Sequence, residues 1–216
     1  MKNRHLKKIS LSLCFLMAFI LWTLLVRFVD VQPIGPQGSL VGFASWNGYM
    51  HTLTGVCMPL YTITDWLGLI PVALMFGFAV LGLVQWIQRK HILRVDFSIL
   101  VLGGFYILVT AVYMLFEMCV INYRPILING YLEASYPSST TMLVLCVIPT
   151  TILQIGNRIR CQWIRRPISI LLIGFMLFMV IGRLISGAHW LTDIIGGILI
   201  SSGLVTMYAG VSKLKE

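Results

Sequence analysis

The stretch Gly182-Arg183-Leu184-Ile185-Ser186-Gly187-Ala188-His189-Trp190-Leu191-Thr192-Asp193 joins a cation, an imidazole and a carboxylate at fixed spacing. If a helix begins near Ala188, His189 and Asp193 share one face, a turn apart. Asp193 then holds one ring N–H and orients the other ring nitrogen, which is the geometry of a directed nucleophile or base. The plainer reading is an interfacial histidine that helps to cap the helix.

Two further stretches carry polar chemistry. Tyr136-Pro137-Ser138-Ser139-Thr140-Thr141 precedes the apolar run Met142 to Ile148, a helix N-terminal signature. Such a terminus caps itself through its hydroxyls, and its unsatisfied N–H groups also make it a ready anion site. In Asn122-Tyr123-Arg124-Pro125 a guanidinium stands at the end of an apolar segment, where it can grip two oxygens of one phosphate. Arg124 and Arg183 read either as that kind of site or as anchors snorkelling to headgroups.

The elements that must position these residues are set by composition. Of 216 residues, 58% are hydrophobic and 11% charged, and mean hydropathy is +0.91. Soluble domains carry roughly 25% charged residues, so the principal solvent of this chain is lipid. An apolar run from Ile9 to Val26 follows the basic start, and further spans are predicted near 66–87, 97–121, 139–156, 167–186 and 190–212. Each is close to the ~20 residues that cross a hydrocarbon core. The prediction is an all-α polytopic membrane protein of about six transmembrane helices in one bundle, a single domain over 1–216, with its first helix uncleaved. Val31 to Gly42 is rich in Pro and Gly and reads as an extended loop. Residues 43–65 mix aromatic and polar groups and suit a short interfacial helix or a re-entrant segment better than a crossing.

The formal charge of +9 does not form an exposed, aromatic-interleaved surface, so nucleic acid is not expected as a partner. Instead the basic residues cluster between spans. With the N-terminus inside, Lys2, Arg4, Lys7, Lys8, Arg89, Lys90, Arg94, Arg158, Arg160, Arg165, Arg166, Lys213 and Lys215 all fall on the cytoplasmic side, 13 of the 16. Both termini are then cytoplasmic in a cell membrane, and the three polar stretches gather on the opposite face. The five cysteines are widely spaced with no Cys-x-x-Cys pair and read as buried hydrophobes. No metal site and no cofactor is expected.

Taken in order, the three stretches resemble the signatures of the type 2 phosphatidic acid phosphatases, membrane relatives of the vanadium haloperoxidases: Lys-x6-Arg-Pro, Pro-Ser-Gly-His and Ser-Arg-x5-His-x3-Asp. Arg124-Pro125 matches the end of the first, Pro137-Ser138 the start of the second, and Arg183, His189 and Asp193 the third. The resemblance spans residues 117–193, inside a family-like core of about 66–212. It implies a phosphohistidine formed on His189, oriented by Asp193, with Arg124, Arg183 and the Ser138 and Ser139 amides on the phosphate oxygens. Four positions depart from the signatures: Glu117 for lysine, Ser139 for glycine, Thr140 for histidine and Gly182 for serine. Threonine cannot protonate a leaving oxygen at neutral pH, and Glu117 adds a negative charge near the phosphate. Glu117 is then a substitute acid or a salt-bridge partner of Arg124.

The function expected is an integral-membrane lipid phosphatase, acting on a lipid phosphate or pyrophosphate at the extracytoplasmic face, with isoprenyl pyrophosphate as first candidate. One alternative is a non-hydrolytic or phosphotransferase member of the same fold that binds lipid phosphates. Another is a small transporter, against which the charges gather at one face and not at the midplane. The oligomeric state is not specified.

Overall fold

Eight α-helices organise residues 2–212 of the computed structural model: α1 (Lys2–Phe28), α2 (Ala44–Thr54), α3 (Met58–Leu67), α4 (Leu69–Arg89), α5 (Phe97–Met118), α6 (Ser139–Arg158), α7 (Gln162–Ile185) and α8 (Leu191–Val211). Met1 and residues 213–216, including Lys213 and Lys215, lie outside the described residues, and only the backbone is described for residues 2–5, including Lys2 and Arg4. Among the described residues the β-structure is limited to isolated bridges. Six helical runs are long and apolar enough to cross a membrane, as the composition predicts.

The second of these runs differs from its expected bounds. Met58–Arg89 is continuous over 32 residues, about 48 Å at roughly 1.5 Å per residue, well beyond the ~30 Å of a hydrocarbon core. Gly68 joins α3 to α4 in right-handed helical conformation, and its N–H donates to the Thr64 carbonyl (3.0 Å). Pro59 and Pro71 each stand in a first helical turn, where the missing N–H does least harm. Residues 43–65 therefore divide: α2 is a separate short helix, while α3 extends the second span outward and brings Tyr61 and Asp65 to the site described below.

In α6 and α8, half of the most apolar window is buried within the protein, against 6–28% in the other four runs. These two helices form the centre of the bundle. Small residues on α8 allow the close approach on which helix association in lipid depends. A Cβ at Gly203 would meet the Leu16 side chain of α1 at 2.8 Å, and one at Gly196 would meet the Tyr136 ring at 2.6 Å. Tyr136 stacks on Phe19, and its hydroxyl shares a hydrogen bond with Thr23 (2.7 Å). Several buried polar groups are paired across helices, as in Ser12 Oγ to the Gly203 carbonyl (2.8 Å) and Tyr106 to Thr150 (3.1 Å).

At the basic end of the bundle Asp96 accepts from Arg89 (2.8 Å), Arg158 (3.1 Å) and Gln85 (2.9 Å), tying the ends of α4, α5 and α6. Partial burial raises the Asp96 pKa, but these donors outweigh it and hold the carboxyl below its ordinary value. Arg124, Ser138, Arg183 and His189 all stand at the opposite end.

Candidate functional site

Three segments meet at that opposite end. The first follows α5, which stops at Met118, three residues short of the expected 121; the chain then turns back on itself in a hairpin. Asn129 and Gly130 both have positive φ (51° and 82°), the conformation of a two-residue hairpin turn, and bridges at Tyr123–Ala134 and Ile128–Tyr131 set its register. Arg124 thereby faces Glu133: the Arg124 N–H donates to the Glu133 carbonyl (3.0 Å), and the side chains form an ion pair at 3.0 Å. Of the two roles expected for Glu117, substitute acid or partner of Arg124, the pairing is not the one that forms. The hairpin supplies a nearer carboxylate, while Glu117 stays on α5 beside Tyr113, one turn away.

The second segment opens α6. Ser138 is its N-cap: the Ser138 Oγ accepts from the Thr141 N–H (3.5 Å) and donates to Thr141 Oγ1 (3.0 Å). The Ser138 N–H donates to the Asp193 carbonyl (3.1 Å), which fastens α6 to the first turn of α8 and removes that amide from the set expected to bind an anion. Ser139 and Thr140 line the cavity in front of the arginines.

The third segment is the α7–α8 turn. Helix α8 begins at Leu191, not near Ala188, because Asp193 acts as its N-terminal capping carboxylate: Asp193 Oδ2 accepts the Trp190 N–H (2.9 Å). His189 therefore precedes the helix, and its Nδ1 lies 3.8 Å from Asp193 Oδ2. The nearer partner of Nδ1 is the Ser135 carbonyl at 3.2 Å, and Ser135 Oγ donates to Asp193 Oδ2 while standing 3.4 Å from Nδ1. Asp193 thus acts on the ring mainly through Ser135.

The other ring nitrogen faces two guanidiniums. Arg124 Nη1 lies 3.2 Å and Arg183 Nη2 lies 3.1 Å from His189 Nε2. A guanidinium only donates, so Nε2 must accept, and the proton sits on Nδ1, where it donates to the Ser135 carbonyl. Burial first, and then the charges of Arg124 and Arg183, push the His189 pKa well below its ordinary value. The ring is neutral, with its nucleophilic lone pair directed at the point where the two cations converge.

Arg183 ends α7 and is almost wholly buried. It lies 4.9 Å from the centre of the Tyr61 ring, and its Nη1 pairs with Asp65 at 3.5 Å; Arg124 approaches the same ring at 5.9 Å. A Cβ at Gly182 would meet the Thr64 methyl at 2.8 Å, so glycine at this position lets α3 lie against α7 and deliver Tyr61 and Asp65. Arg124, Arg183, Asp65, Glu117 and Thr140 share one polar cavity of about 750 Å³. An ionisable residue inside an apolar run, as Asp65 is, was the available sign of this second layer.

Behind the site, Asn47 of α2 holds the start of α8: its Nδ2 donates to Thr192 Oγ1 (2.9 Å), and its Oδ1 accepts the Thr192 N–H (3.2 Å). Gly187 closes the turn before His189 with φ +67°, and a Cβ there would lie 2.2 Å from the Gly55 carbonyl oxygen. Gly187→Ala therefore combines backbone strain with a collision against main chain, at a cost of about 1–3 kcal/mol. The variant is expected to melt several degrees lower in detergent, as followed by tryptophan fluorescence; an unchanged melting temperature would contradict this account of the turn.

No protein-family model and no curated protein matches the sequence. A structural match does exist: a transmembrane PAP2-type phosphatidylglycerolphosphate phosphatase from Bacillus subtilis aligns with TM-score 0.57 and 17% identity, over 92% of this chain and 93% of that one. The alignment runs nearly end to end on both chains, and this chain, with its six membrane-length helices, has the fold of a transmembrane PAP2-type phosphatase.

Proposed function

We propose that this protein is an integral-membrane lipid phosphatase that hydrolyses a lipid phosphate or pyrophosphate through a phosphohistidine on His189. The observation that carries the reading is the convergence of Arg124 and Arg183 on His189 Nε2, at 3.2 and 3.1 Å. An anionic phosphoryl group entering there replaces the nitrogen as acceptor for both cations, with phosphorus in front of the lone pair.

In the first step Nε2 bonds to phosphorus as the bond from phosphorus to the leaving oxygen breaks, and that oxygen takes a proton from solvent in the cavity. In the second, water attacks phosphorus and gives up one proton to solvent, the P–N bond breaks, and inorganic phosphate leaves a neutral His189. The Nδ1–H hydrogen bond to Ser135, backed by Asp193, supports the positive charge that the ring gains in the first step. The two guanidiniums and the Ser139 and Thr140 amides at the start of α6 serve the oxygens of the transition state. The basic clusters at the far end of the bundle support a reaction at the extracytoplasmic face.

A second reading, a phosphotransferase or phosphate-binding member of the same fold, is favoured by Thr140, which offers the leaving oxygen no imidazole. The two readings separate in one assay: phosphate release by purified protein in detergent, from a panel of lipid mono- and pyrophosphates, with His189→Ala as the comparison. Release that requires His189 supports the phosphatase. Binding without release from any lipid supports the second reading.

A further inference from the structure

The cavity in front of the arginines carries three carboxylates, Asp65, Glu117 and Glu133, together with Tyr61, Tyr113 and Tyr123. It is a built anion site, since the Arg183 side chain is only 1% exposed and its Nε has no hydrogen-bond acceptor. Two of the carboxylates are balanced, Glu133 by Arg124 and Asp65 by Arg183. Glu117 has no ion-pair partner among the described residues. The cavity walls therefore hold one more negative charge than positive before any ligand enters.

That balance suits few phosphate ligands. A phosphate dianion alone adds to the excess, and a diphosphate adds more, so each is repelled by Glu117 even while the arginines attract it. A phosphate that carries its own cation meets both needs at once. Tyr113, Glu117, Arg124 and Glu133 line the same cavity, so the unbalanced carboxylate and the phosphate-facing guanidinium open onto one space. Aromatic walls beside a carboxylate attract an ammonium. No group of His, Cys, Asp and Glu among the described residues is arranged to hold a metal ion in its place.

Resting on the phosphatase reading above, we propose that Glu117 is a specificity residue that takes a protonated amine of the substrate. The cavity then selects lipid phosphate monoesters with an ammonium near the ester oxygen over amine-free lipid phosphates and diphosphates. The resident carboxylate at this position becomes a recognition element in place of a phosphate ligand.

The test measures binding in the His189→Ala background, so that it does not depend on turnover. The probes are sphinganine 1-phosphate, its N-acetyl derivative, which differs in lacking the amine charge, and farnesyl diphosphate, titrated calorimetrically in detergent. Sphinganine 1-phosphate is expected to bind roughly tenfold tighter than either of the others, and Glu117→Gln is expected to reduce that preference to about twofold or less. Equal affinities, a preference that survives Glu117→Gln, or tighter binding of the diphosphate would overturn the proposal. O-phosphoethanolamine, which has the same head chemistry without a lipid tail, shows whether the ligand is a lipid or a free amino-alcohol phosphate.

Turnover with His189 intact separates this role from acid catalysis. Glu117→Gln should lower kcat/KM for the amine-bearing lipid alone, whereas loss of a general acid would lower it for every substrate. Amine-selective binding with no phosphate release would leave Glu117 as the amine site and remove the phosphatase reading. Release with no amine preference would do the reverse.

Discussion

Alanine at His189 is expected to lower phosphate release by roughly 10³-fold or more, because it removes the atom that bonds to phosphorus. The substitution leaves Arg124 and Arg183 without the ring that separates them, so binding of lipid phosphate should persist or tighten while turnover is lost. Acid-stable binding is not expected of the intermediate: labelled phosphate should be trapped on the wild-type chain by a rapid alkaline quench and be absent from His189→Ala. Release that continues at even a tenth of the wild-type rate would exclude His189 as the nucleophile.

The pH profile follows from the same geometry. Burial and two neighbouring guanidiniums lower the His189 pKa, and the neutral ring is the reactive form. Activity should therefore hold as pH falls through the ordinary histidine range near 6.5 and drop only below it. Burial and the two cations act with the same sign: a profile rising through a pKa above 7 would mean that the ring is protonated at rest, and the contacts of Nε2 with the guanidiniums would then be wrong.

The sequence made the six spans readable, and with them the gathering of His189 and the two arginines at the end away from the basic clusters, because a run of about 20 apolar residues has few alternatives and successive runs alternate in direction. It was less informative where polar main chain decides the geometry. The carboxylate facing Arg124 is Glu133, brought there by an Asn129-Gly130 turn whose signal was present but lay in a loop with no apolar periodicity to frame it. The i, i+4 spacing of His189 and Asp193 fits a shared helical face as well as it fits a histidine just outside a capped helix, so the spacing alone does not choose between a start near Ala188 and one at Leu191, a residue from the predicted span 190–212. Asp193 can cap α8 and support the ring only because Ser135 bridges them, and Ser135 is 58 residues away in sequence. The extension of the second span through α3 was hidden by its tyrosine and aspartate, which belong to the site and not to lipid.

Those two α3 residues set the terms of the second large effect, at Arg183. Its guanidinium has three neighbours at once: His189 Nε2 at 3.1 Å, Asp65 at 3.5 Å and the Tyr61 ring face at 4.9 Å. Lysine retains the charge and can keep Asp65 paired, but it cannot lie flat on Tyr61 and present separate donors to two oxygens of one phosphate. Arg183→Lys is therefore expected to lower kcat/KM by about 10²-fold, the scale of one lost transition-state donor, with a melting temperature close to that of the wild type. Arg183→Ala should also lose stability, because it leaves a cavity beneath Tyr61 and removes the partner of Asp65. The informative comparison is Arg183→Lys with Asp65→Asn. If Asp65 only holds the guanidinium in place, Asp65→Asn should cost far less than Arg183→Lys and should tighten phosphate binding by removing a competing anion. Equal losses in the two variants, without tighter binding, would mean that the Arg183–Asp65 pair acts as one unit in the reaction.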